Sequence, residues 1–572
     1  SQIGFRQTKG DNEIAWVDNF SLKNAAAEPL VAADFEDHLD PFSTGRTQQG
    51  ALYLDKCGLF MRDVEQEGAP MFRRDFALEE GKTVEKARLY ATALGTYEAY
   101  LNGRRVGTDC LAPGWTEYFD RLDYQAYDVT ELLLEGDNAI GAVVGNGWYA
   151  GHIGEGNCNY QYYGIDVAFK GALIITYTDG TQQILKTDES WACSTDSPYL
   201  VTDHSNGETY DAAREQPGWN LPGFEAQGWH GAVIASNETI RTNVDLSKVT
   251  LRAQPDEPVR VFKTITPVSV NQVGEDTFIY DMGQNFAGVV SLTASGQKGQ
   301  TVRLRYGEML YDENDGALEG SLYTANLRTA HATDYYTFGE DGTVTYTPAF
   351  TYHGFRYVEV SGLSAPPALA EVQGVVWSSV GEITSSLETS SALINQIYSN
   401  TIWSQLSNYV SVPTDCPQRD ERLGWSGDAQ VFASTAAFNA DVEAFLTQYL
   451  SIYFGKQGED GGLPHFAPTY SPSKSSGGTA GWCDAAVVIP YVLYKSYGDV
   501  GVIETYYANM QAWIRQRLAT AGYEQNGSLI IRTGSYGDWL SSGENTPVPI
   551  TSTAYFGYAV KLLGKMAAII GK

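Results

Sequence analysis

Apolar and polar residues alternate along the first two thirds of the chain, in short runs broken by turn residues. This period of two is typical of strands that bury one face. Three breaks carry Asn-Gly or Asp-Gly, which supply the positive φ angles of tight hairpin turns, at residues 101–104, 178–181 and 340–343. The pattern predicts β-structure from residue 1 to about 380, and hairpins at this spacing predict sandwiches.

The period changes after residue 385. Apolar residues then recur every three to five positions, as in Ile394, Ile397, Ile402 and Leu406, which is the spacing of amphipathic helices. The pattern predicts about six helices, near residues 391–408, 428–439, 441–456, 484–497, 501–520 and 552–568.

The length of 572 residues exceeds what one hydrophobic core organises, so three or four domains are expected. Two segments rich in turn-forming residues, 217–230 and 361–370, are predicted domain boundaries. The composition, 43% hydrophobic and 19% charged, is that of a globular protein.

The chain is strongly acidic, with 38 Lys and Arg against 69 Asp and Glu, a net charge of −31. This charge argues against nucleic acid or an anionic membrane as the main partner and leaves a neutral or cationic small substrate open. The first residues lack a signal-peptide pattern, and the six cysteines form no C-x-x-C pair. Free thiols favour a reducing, cytoplasmic location; a secreted or periplasmic location is the alternative if a leader was removed.

The densest chemistry lies between the first two predicted helices, in TDCPQRDERLGWSGDAQ, residues 414–430. Its prolines and glycines prevent a continuous helix, so it is a loop at one end of a helical array, where catalytic residues are commonly held. A cluster of carboxylates raises the pKa of at least one member, which general acid catalysis near neutral pH requires. The charged and aromatic residues of this loop are Asp415, Arg419, Asp420, Glu421, Arg422, Trp425 and Asp428.

Spacing alone leaves several roles in this loop open. Adjacent residues of an extended loop point to opposite sides, so either Asp420 or Glu421 faces a substrate, but not both. Arg419 and Arg422 either neutralise the loop through salt bridges or bind a substrate. A solvated acidic surface is the simpler alternative for the whole stretch, and Cys416, with no histidine near it in sequence, is expected to pack.

Two tryptophans in later loops are further candidates. Taken alone, Trp482 and Trp539 favour core packing, since large aromatic side chains are usually buried. Gly481 and Gly537 beside them indicate loops and favour a pocket. DENDG, at 312–316, lacks the ligand register of an EF-hand and is expected to be a surface turn.

In four regions taken together the chain resembles the family 78 glycoside hydrolases, the bacterial α-L-rhamnosidases. The 414–430 motif resembles the signature of that family. The other matching stretches are YEAYLNGRRVGTDCLAPGWTEYFDRLDYQAYDVTELL (97–133) and GNGWYAGHIG (145–154) for its jelly-roll module, YDMGQNFAGVVSL (280–292), LRYGEMLYDENDG (304–316) and YHGFRYVEV (352–360) for its β-sandwich, and GWCDAAVVIPY (481–491) and YGDWL (536–540) for its helical domain.

The resemblance, over about residues 70 to 572, implies a multidomain protein. All-β modules, a jelly-roll and a β-sandwich, would be followed by an all-α (α/α)6-barrel catalytic domain that hydrolyses terminal non-reducing α-L-rhamnose with inversion. The expected domains are an N-terminal β-segment (1–80), a jelly-roll module with a candidate carbohydrate-binding role (81–235), a β-sandwich (236–375) and the first half of the barrel (376–572).

The resemblance also implies residue roles. Glu421 is the expected general acid, and the residues expected to bind the sugar are Asp415, Arg419, Trp425, Asp428, Trp482, Asp538 and Trp539. The three tryptophans would give the C6 methyl group an apolar wall. Asp484 also stands in a matching motif. No metal or cofactor is expected at the site, although a structural calcium ion in the jelly-roll module is implied without assigned ligands.

An inverting mechanism needs a second carboxylate as general base. In the family this base is a Glu in the second half of the barrel, whereas 151 residues follow Glu421 here, with Asp538 and Glu544 near the late loops. We therefore expect the base outside this sequence, in a second chain or a missing C-terminal segment. The rival readings are an inactive partial enzyme that binds rhamnose, and another (α/α)6 enzyme, a lyase or a phosphorylase.

Overall fold

The protein's structure is a computed structural model that describes residues 68–572 apart from 158, 313–315, 317 and 533. Between residues 1 and 67 it describes the backbone of seven short strands: β1 (Ile3–Phe5), β2 (Trp16–Val17), β3 (Phe20–Lys23), β4 (Pro29–Ala33), β5 (Gly45–Gln48), β6 (Ala51–Leu54) and β7 (Leu59–Met61). Residues 1–67 of the predicted N-terminal segment, 1–80, and most of the predicted turn at 312–316 therefore lie outside the described residues.

The first β-module has two sheets, of six and five strands, that enclose a core of residues such as Leu89, Tyr97, Ile140, Val144 and Leu173. Their pairings are antiparallel except for the parallel pairing of β12 with β22 in the five-stranded sheet. The elements of this part of the chain are β8 (Met71–Ala77), β9 (Val84–Leu94), β10 (Thr96–Leu101), β11 (Arg104–Arg105), β12 (Arg121–Asp128), β13 (Asp137–Gly145), α1 (Gly147–Ala150), β14 (His152–Ile153), β15 (Asn159–Tyr160), β16 (Ala168–Tyr177), β17 (Gln182–Lys186), β18 (Ala192–Ser194), β19 (Tyr199–Asp203), β20 (Gly207–Asp211), β21 (His230–Gly231) and β22 (Thr250–Ala253). The sheet orders are β11-β10-β13-β8-β18-β21 and β17-β16-β9-β12-β22.

Two of the predicted hairpins are confirmed in this module. Asn102-Gly103 joins β10 to β11, and Asp179-Gly180 joins β16 to β17. The predicted boundary at 217–230 is wrong, because this segment packs on the module. Arg73 donates to the carbonyl oxygens of Trp219 (2.7 Å) and Leu221 (3.1 Å), and β21 and β22 still pair with strands of the first module after it.

The second β-module is a ten-stranded sheet of order β19-β20-β29-β26-β31-β25-β32-β23, with β24 and β30 also paired to β25. Its remaining strands are β23 (Arg260–Ile265), β24 (Ser269–Gln272), β25 (Thr277–Gly296), β26 (Thr301–Gly307), β29 (Thr333–Thr337), β30 (Gly342–Tyr346), β31 (His353–Ser361) and β32 (Val372–Ser378). Between β26 and β29, β27 (Met309–Leu310) and β28 (Leu322–Tyr323) pair with each other as a separate two-stranded sheet. The long strand β25 pairs with β24 and β31 in its first half and with β30 and β32 in its second half.

Two predictions fail in this module. Asp341-Gly342 does not close a hairpin, because β29 already pairs with β26 on one edge and β20 on the other, and β30 pairs with β25. The segment 361–370 is not a domain boundary. It connects β31 to β32 within the sheet, and the Tyr280 hydroxyl donates to the Pro367 carbonyl oxygen over 2.6 Å.

The rest of the chain is helical, as predicted. Its elements are α2 (Ala392–Asn408), β33 (Tyr409–Val410), β34 (Val412–Pro413), α3 (Ser426–Asn439), α4 (Glu443–Gly455), α5 (Ala485–Tyr497), α6 (Val500–Ala521), α7 (Tyr523–Asn526) and α8 (Val548–Ile569). All six predicted helices are confirmed, with ends within about four residues of those predicted. The Asp499 carboxylate caps α6 by accepting from the Val502 amide, and Gly498 and Gly522 end α5 and α6 in the left-handed conformation.

Buried charges join the helical part to the first β-module. Lys456, directly after α4, is fully buried and pairs with Glu117 at 3.2 Å and with Asp120 at 2.8 Å. Removing one partner of such a pair would leave a buried charge uncompensated, so the contact fixes how the two parts dock. None of the described helices is both long and apolar enough to cross a bilayer.

Candidate active site

The 414–425 segment, named the acid loop here, connects the β33–β34 hairpin to α3. Asp415 closes its base: the Asp415 amide donates to the Leu423 carbonyl oxygen at 3.1 Å, and the Leu423 amide donates to Asp415 Oδ1 at 3.0 Å. Because its two ends are tied together, the residues between them project as one unit towards the β-modules.

Asp420 and Arg422 face into the protein and fasten the acid loop. Asp420 accepts hydrogen bonds from the Gly156 amide in the first β-module and from the Thr329 amide and hydroxyl in the second. The buried Arg422 guanidinium donates to the carbonyl oxygens of His204 and Tyr352 and to two carbonyl oxygens of its own loop. The sequence left two roles open for Arg422, a salt bridge within the loop and substrate binding. The structure shows neither, because the guanidinium donates to backbone carbonyl oxygens.

Glu421, between these two anchors, points the other way. Its Oε2 accepts from Arg419 Nε (3.1 Å) and Nη2 (3.0 Å) and from Arg328 Nη1 (3.2 Å), and its Oε1 accepts from Trp425 Nε1 (3.1 Å). Arg419 Nη2 also reaches Asp415 Oδ2 at 3.2 Å. The structure therefore brings Asp415, Arg419, Glu421 and Trp425 together, and it separates Glu421 from Asp420.

Burial and like charge act together on the carboxyl groups around Glu421. Burial, reinforced by the Glu421 carboxylate, raises the pKa of Asp415 to about 6, against the lowering effect of the Leu423 amide and Arg419. Burial, again with the Glu421 charge, raises the pKa of Asp428. Burial also raises the pKa of Asp420, although its hydrogen bonds from Thr329 and the Arg328 charge oppose the shift.

A cavity of about 540 Å³ opens beside the acid loop. Five of the eight predicted site residues line it: Asp415, Asp428, Trp482, Asp538 and Trp539. The other three, Arg419, Glu421 and Trp425, do not line the cavity. Arg419 bonds to both Asp415 and Glu421, and Trp425 bonds to Glu421, which connects all three to the lining residue Asp415. A cavity of this size with aromatic walls and a few polar groups suits a sugar-sized ligand.

Buried contacts hold the loop that carries Trp482, one of the residues that line the cavity. Asp484 is buried, and its carboxylate accepts from the Gly481 amide at 2.8 Å and from Trp513 Nε1 at 2.9 Å. It therefore holds the loop that carries Trp482. On the other side, a Cβ added to Gly427 would lie 2.8 Å from the Trp482 ring, so α3 packs directly on that ring.

Next to Trp482, the wall is continued by residues 534–546, named the aromatic loop here, of which Gly537, Asp538 and Trp539 line the cavity. The rings of Tyr536 and Trp482 lie 4.8 Å apart, and those of Tyr536 and Trp539 5.7 Å apart. The Tyr536 hydroxyl hydrogen-bonds to His465 Nδ1 at 2.7 Å. Asp538 accepts from the amide and hydroxyl of Thr546, which lowers the pKa of Asp538.

One group of potential metal ligands occurs among the described residues. Ligand atoms of Asp415, Cys416 and Glu421 lie within 4.8 Å of one another. The donors of Arg419 already occupy oxygens of both carboxylates, so we assign no metal to this cluster. Within the described part of the first β-module, His, Cys, Asp and Glu side chains form no such group. The implied calcium ion stays a prediction, because calcium also takes backbone and amide carbonyl oxygens as ligands.

Three protein-family models match the chain in sequence. They are the α-L-rhamnosidase N-terminal domain (residues 82–263), the bacterial α-L-rhamnosidase concanavalin-like domain (271–378) and the bacterial α-L-rhamnosidase six-hairpin glycosidase domain (382–572). The chain belongs to family 78 of the glycoside hydrolases, the bacterial α-L-rhamnosidases.

Curated members of the family resemble the chain over most of its length. It is 42% identical to an α-L-rhamnosidase of Streptomyces avermitilis over 88% of this chain and 46% of that protein. It is 36% identical to one of Alteromonas sp. (strain LOR) over 87% of this chain and 53% of that protein. The chain thus spans about half the length of these relatives.

Solved structures of the family share the fold. The Streptomyces avermitilis α-L-rhamnosidase complexed with L-rhamnose matches with a TM-score of 0.81 and 41% identity, over 88% of this chain and 47% of that one. The Dictyoglumus thermophilum enzyme matches with a TM-score of 0.80 and 36% identity, over 88% of this chain and 54% of that one.

Three residues that contact the site were not predicted from the sequence: Tyr536, His465 and Arg328. Tyr536 could have been found, because it stands three residues before Trp539 in the quoted YGDWL stretch. His465 and Arg328 carry no local signal. They reach the site from a connection after α4 and from the second β-module, so only the folded chain reveals them.

Proposed function

We propose that this chain forms the acid half of an inverting α-L-rhamnosidase site, which removes terminal non-reducing α-L-rhamnose from rhamnosides and rhamnose-containing oligosaccharides. The observation that carries the proposal is the Glu421 carboxyl group, held by Arg419 and Trp425 beside a cavity that two tryptophans and three carboxylates line. An acid and an apolar wall at one cavity are what cleavage of a 6-deoxy sugar requires.

In this mechanism Glu421 donates its proton to the departing glycosidic oxygen. Asp415, Asp428 and Arg419 hold sugar hydroxyls, and Trp425, Trp482 and Trp539 surround the C6 methyl group. An apolar wall rejects an added hydroxyl by only about 10²-fold, so rhamnosides should be preferred to mannosides with weak mannosidase activity remaining.

The general base and the rest of an (α/α)6 barrel are proposed to come from outside the printed sequence. An inverting base stands about 6.5–9.5 Å from the acid and must take a proton from water. Asp538 lines the cavity, but it already accepts hydrogen bonds from Thr546, and its pKa is lowered, so it is a weak base. The share of the relatives' length that the chain covers supports the same proposal.

The acid assignment competes with Asp415, whose pKa is raised to about 6. Glu421→Gln should abolish hydrolysis of natural rhamnosides, spare activated aryl rhamnosides more, and leave L-rhamnose binding nearly intact. If Asp415 is the acid, Asp415→Asn will show this pattern instead. Glu388→Gln, an exposed substitution before α2, is the matched control.

The test uses the 572-residue chain with a panel of aryl rhamnoside, fucoside, mannoside and glucuronide, and with calorimetric titration of L-rhamnose. Binding of L-rhamnose without turnover would support the absent base. A preference for mannoside would contradict the substrate assignment. An unsaturated product would indicate a lyase, and a phosphate requirement a phosphorylase.

A further inference from the structure

Three segments that surround the cavity meet at His465, in the connection after α4. The His465 carbonyl oxygen accepts from the amide and the hydroxyl of Ser426, both at 2.8 Å, where α3 begins after the acid loop. Its ring Nε2 bonds to the Thr479 hydroxyl at 2.7 Å, and its Nδ1 bonds to the Tyr536 hydroxyl, also at 2.7 Å. One residue therefore joins the end of the acid loop, the turn before Trp482 and the aromatic loop.

The backbone of His465 is fixed against the end of the acid loop. Phe466 pairs with Trp425 in an isolated antiparallel bridge, and the Ala467 amide donates to the Gly424 carbonyl oxygen at 3.0 Å. Together with the bonds to the His465 carbonyl oxygen, these contacts hold three consecutive residues, 465–467. The position of the His465 ring is therefore set from the segment that also carries Trp425.

Thr479, the partner of Nε2, begins the turn that carries Trp482. The Thr479 carbonyl oxygen accepts from the amides of Trp482 at 3.3 Å and Cys483 at 2.8 Å. The residue is only 6% exposed, so loss of its hydroxyl's partner would leave a buried polar group unsatisfied. The bond to His465 thereby holds the start of this turn in place.

Both ring nitrogens of His465 are used, but their partners differ in exposure. Burial lowers the pKa of His465, so the ring is neutral near pH 7, and one nitrogen donates while the other accepts. A hydroxyl group suits either state. Tyr536 is 41% exposed, so water can replace its hydroxyl, whereas Thr479 is buried. The Nε2 bond is therefore the one that fixes a neighbouring segment.

We propose that His465 is a positioning residue that sets the distance between the acid loop and the turn of Trp482, through its carbonyl oxygen at Ser426 and its Nε2 at Thr479. Glu421 and Trp482 belong to the two segments that this link joins, so it fixes the proton donor relative to the apolar wall. The effect on sugar binding rests on the proposed function of the cavity, whereas the effect on the turn does not.

Other contacts between the two segments limit the size of the expected effect. The Cys483 thiol donates to the carbonyl oxygens of Leu463 and Pro464, both at 3.4 Å, and the Leu463 amide donates to the Gly477 carbonyl oxygen at 3.2 Å. These bonds keep the backbones adjacent without the His465 ring. Loss of the Nε2 bond should therefore loosen the turn rather than separate the segments.

Two amide variants separate the roles of the two ring nitrogens. In His465→Asn the side-chain amide lies near the former Nδ1 and can still bond to Tyr536, but it is too short to reach Thr479. In His465→Gln the amide reaches the former Nε2 position and can bond to Thr479. Both variants lose the imidazole ring, so the loss of ring packing is common to them.

Hydrogen–deuterium exchange read by mass spectrometry follows the turn without any ligand. In His465→Asn the exchange rate of a peptide covering residues 479–484 should rise about fivefold, because local opening becomes easier. His465→Gln should recover most of the parent rate. Tyr497→Phe is the matched control. It removes a hydroxyl that accepts from the Val442 amide at 3.0 Å, at the far end of α5, and it should leave this peptide unchanged.

Calorimetric titration with L-rhamnose connects the turn to the cavity. The affinity should fall about fivefold in His465→Asn and less than about twofold in His465→Gln and Tyr497→Phe, since only the first variant loosens the Trp482 wall. Thr479→Val removes the partner hydroxyl and should match His465→Asn. The two substitutions combined should add little further loss, because they break the same bond.

Parent-like exchange of the 479–484 peptide in His465→Asn, or equal exchange in His465→Asn and His465→Gln, would overturn the proposal. If His465→Asn does not fold, Thr479→Val provides the same exchange measurement. A parent chain that does not bind L-rhamnose, with the expected exchange pattern, would contradict the proposed function and leave the positioning role standing. Parent-like rhamnose affinity in a His465→Asn chain whose turn is loosened would overturn the role of this link in sugar binding.

Discussion

The acid loop and the aromatic loop form two sides of one cavity, but they are built differently. The acid loop is fastened at Asp420 and Arg422 to both β-modules through buried contacts. The aromatic loop exposes Trp539 by 64% and Leu540 by 85%, and its hydrogen bonds are mainly local, such as those between Asp538 and Thr546. The proton donor proposed for the acid loop would have to be placed within a fraction of an ångström, whereas an apolar wall tolerates adjustment.

The comparison predicts that substitutions in the acid loop destabilise the protein more than substitutions in the aromatic loop. The largest effect is expected at Arg422. Arg422→Met should lower the free energy of unfolding by about 3–5 kcal/mol, because backbone carbonyls lose a buried charged donor. Urea unfolding followed by tryptophan fluorescence measures the change. Arg356→Met, at a half-exposed arginine, is the control and should cost under about 1 kcal/mol. Equal losses in the two variants would contradict the contrast between the loops.

The raised pKa of Asp415 predicts that the free energy of unfolding depends on pH. Its pKa in the folded chain is about 6, above the ordinary value, so folding favours the protonated form. The resulting stability is present below about pH 4 and is lost as the pH rises through 6, which amounts to about 3 kcal/mol. Asp415→Asn should flatten this loss between pH 4 and 7 in urea unfolding. A variant that retains the parent slope would show that other groups carry it.

The contact between α3 and Trp482 should be sensitive to one methyl group. Gly427→Ala would place Cβ 2.8 Å from the Trp482 ring and push that wall, at a cost of about 1–2 kcal/mol in stability. The affinity for L-rhamnose, measured by calorimetry, should fall about tenfold. Gly557→Ala in α8, where a Cβ meets open space, is the matched control and should stabilise the chain by about 0.5–1 kcal/mol. Undisturbed rhamnose binding in Gly427→Ala would contradict this wall.

The helices could be predicted because their apolar residues repeat at the helical period, and the site motif because it concentrates unusual residues in seventeen positions. The predictions that failed concern residues whose structural partners lie far away in the sequence. The Asp341-Gly342 turn has hairpin chemistry, yet both edges of β29 are taken by β20 and β26. The 217–230 segment has linker composition, yet Trp219 and Trp229 cover the apolar residues Met71, Val143 and Phe350.

The same limit applies within the site. Spacing could say that Asp420 and Glu421 face opposite ways, but not which one faces the cavity, because the donors that claim Asp420 lie at Gly156 and Thr329. Asp484 stands in a stretch that resembles a loop of the family's helical domain, yet both its oxygens accept hydrogen bonds from the protein interior. The predicted roles of the remaining site residues stay predictions until the variants above are measured.

The smallest effect is expected in the aromatic loop, at the Tyr536 hydroxyl. Tyr536→Phe removes the 2.7 Å hydrogen bond to His465 but keeps the ring against Trp482 and Trp539. Because Tyr536 is 41% exposed, water replaces the lost partner, and the free energy of unfolding should change by less than about 1 kcal/mol. The affinity for L-rhamnose should fall less than about threefold, since ring packing holds the wall.

Tyr536→Ala separates the ring from the hydroxyl. It withdraws the aromatic contact that supports Trp482, and the affinity for L-rhamnose should fall about tenfold while unfolding changes little. If Tyr536→Phe already weakens binding as much as Tyr536→Ala, the hydrogen bond to His465 orients the wall, and the aromatic loop is as firmly positioned as the acid loop. If the two variants differ as expected, the aromatic loop is a packed but adjustable wall beside a rigid acid.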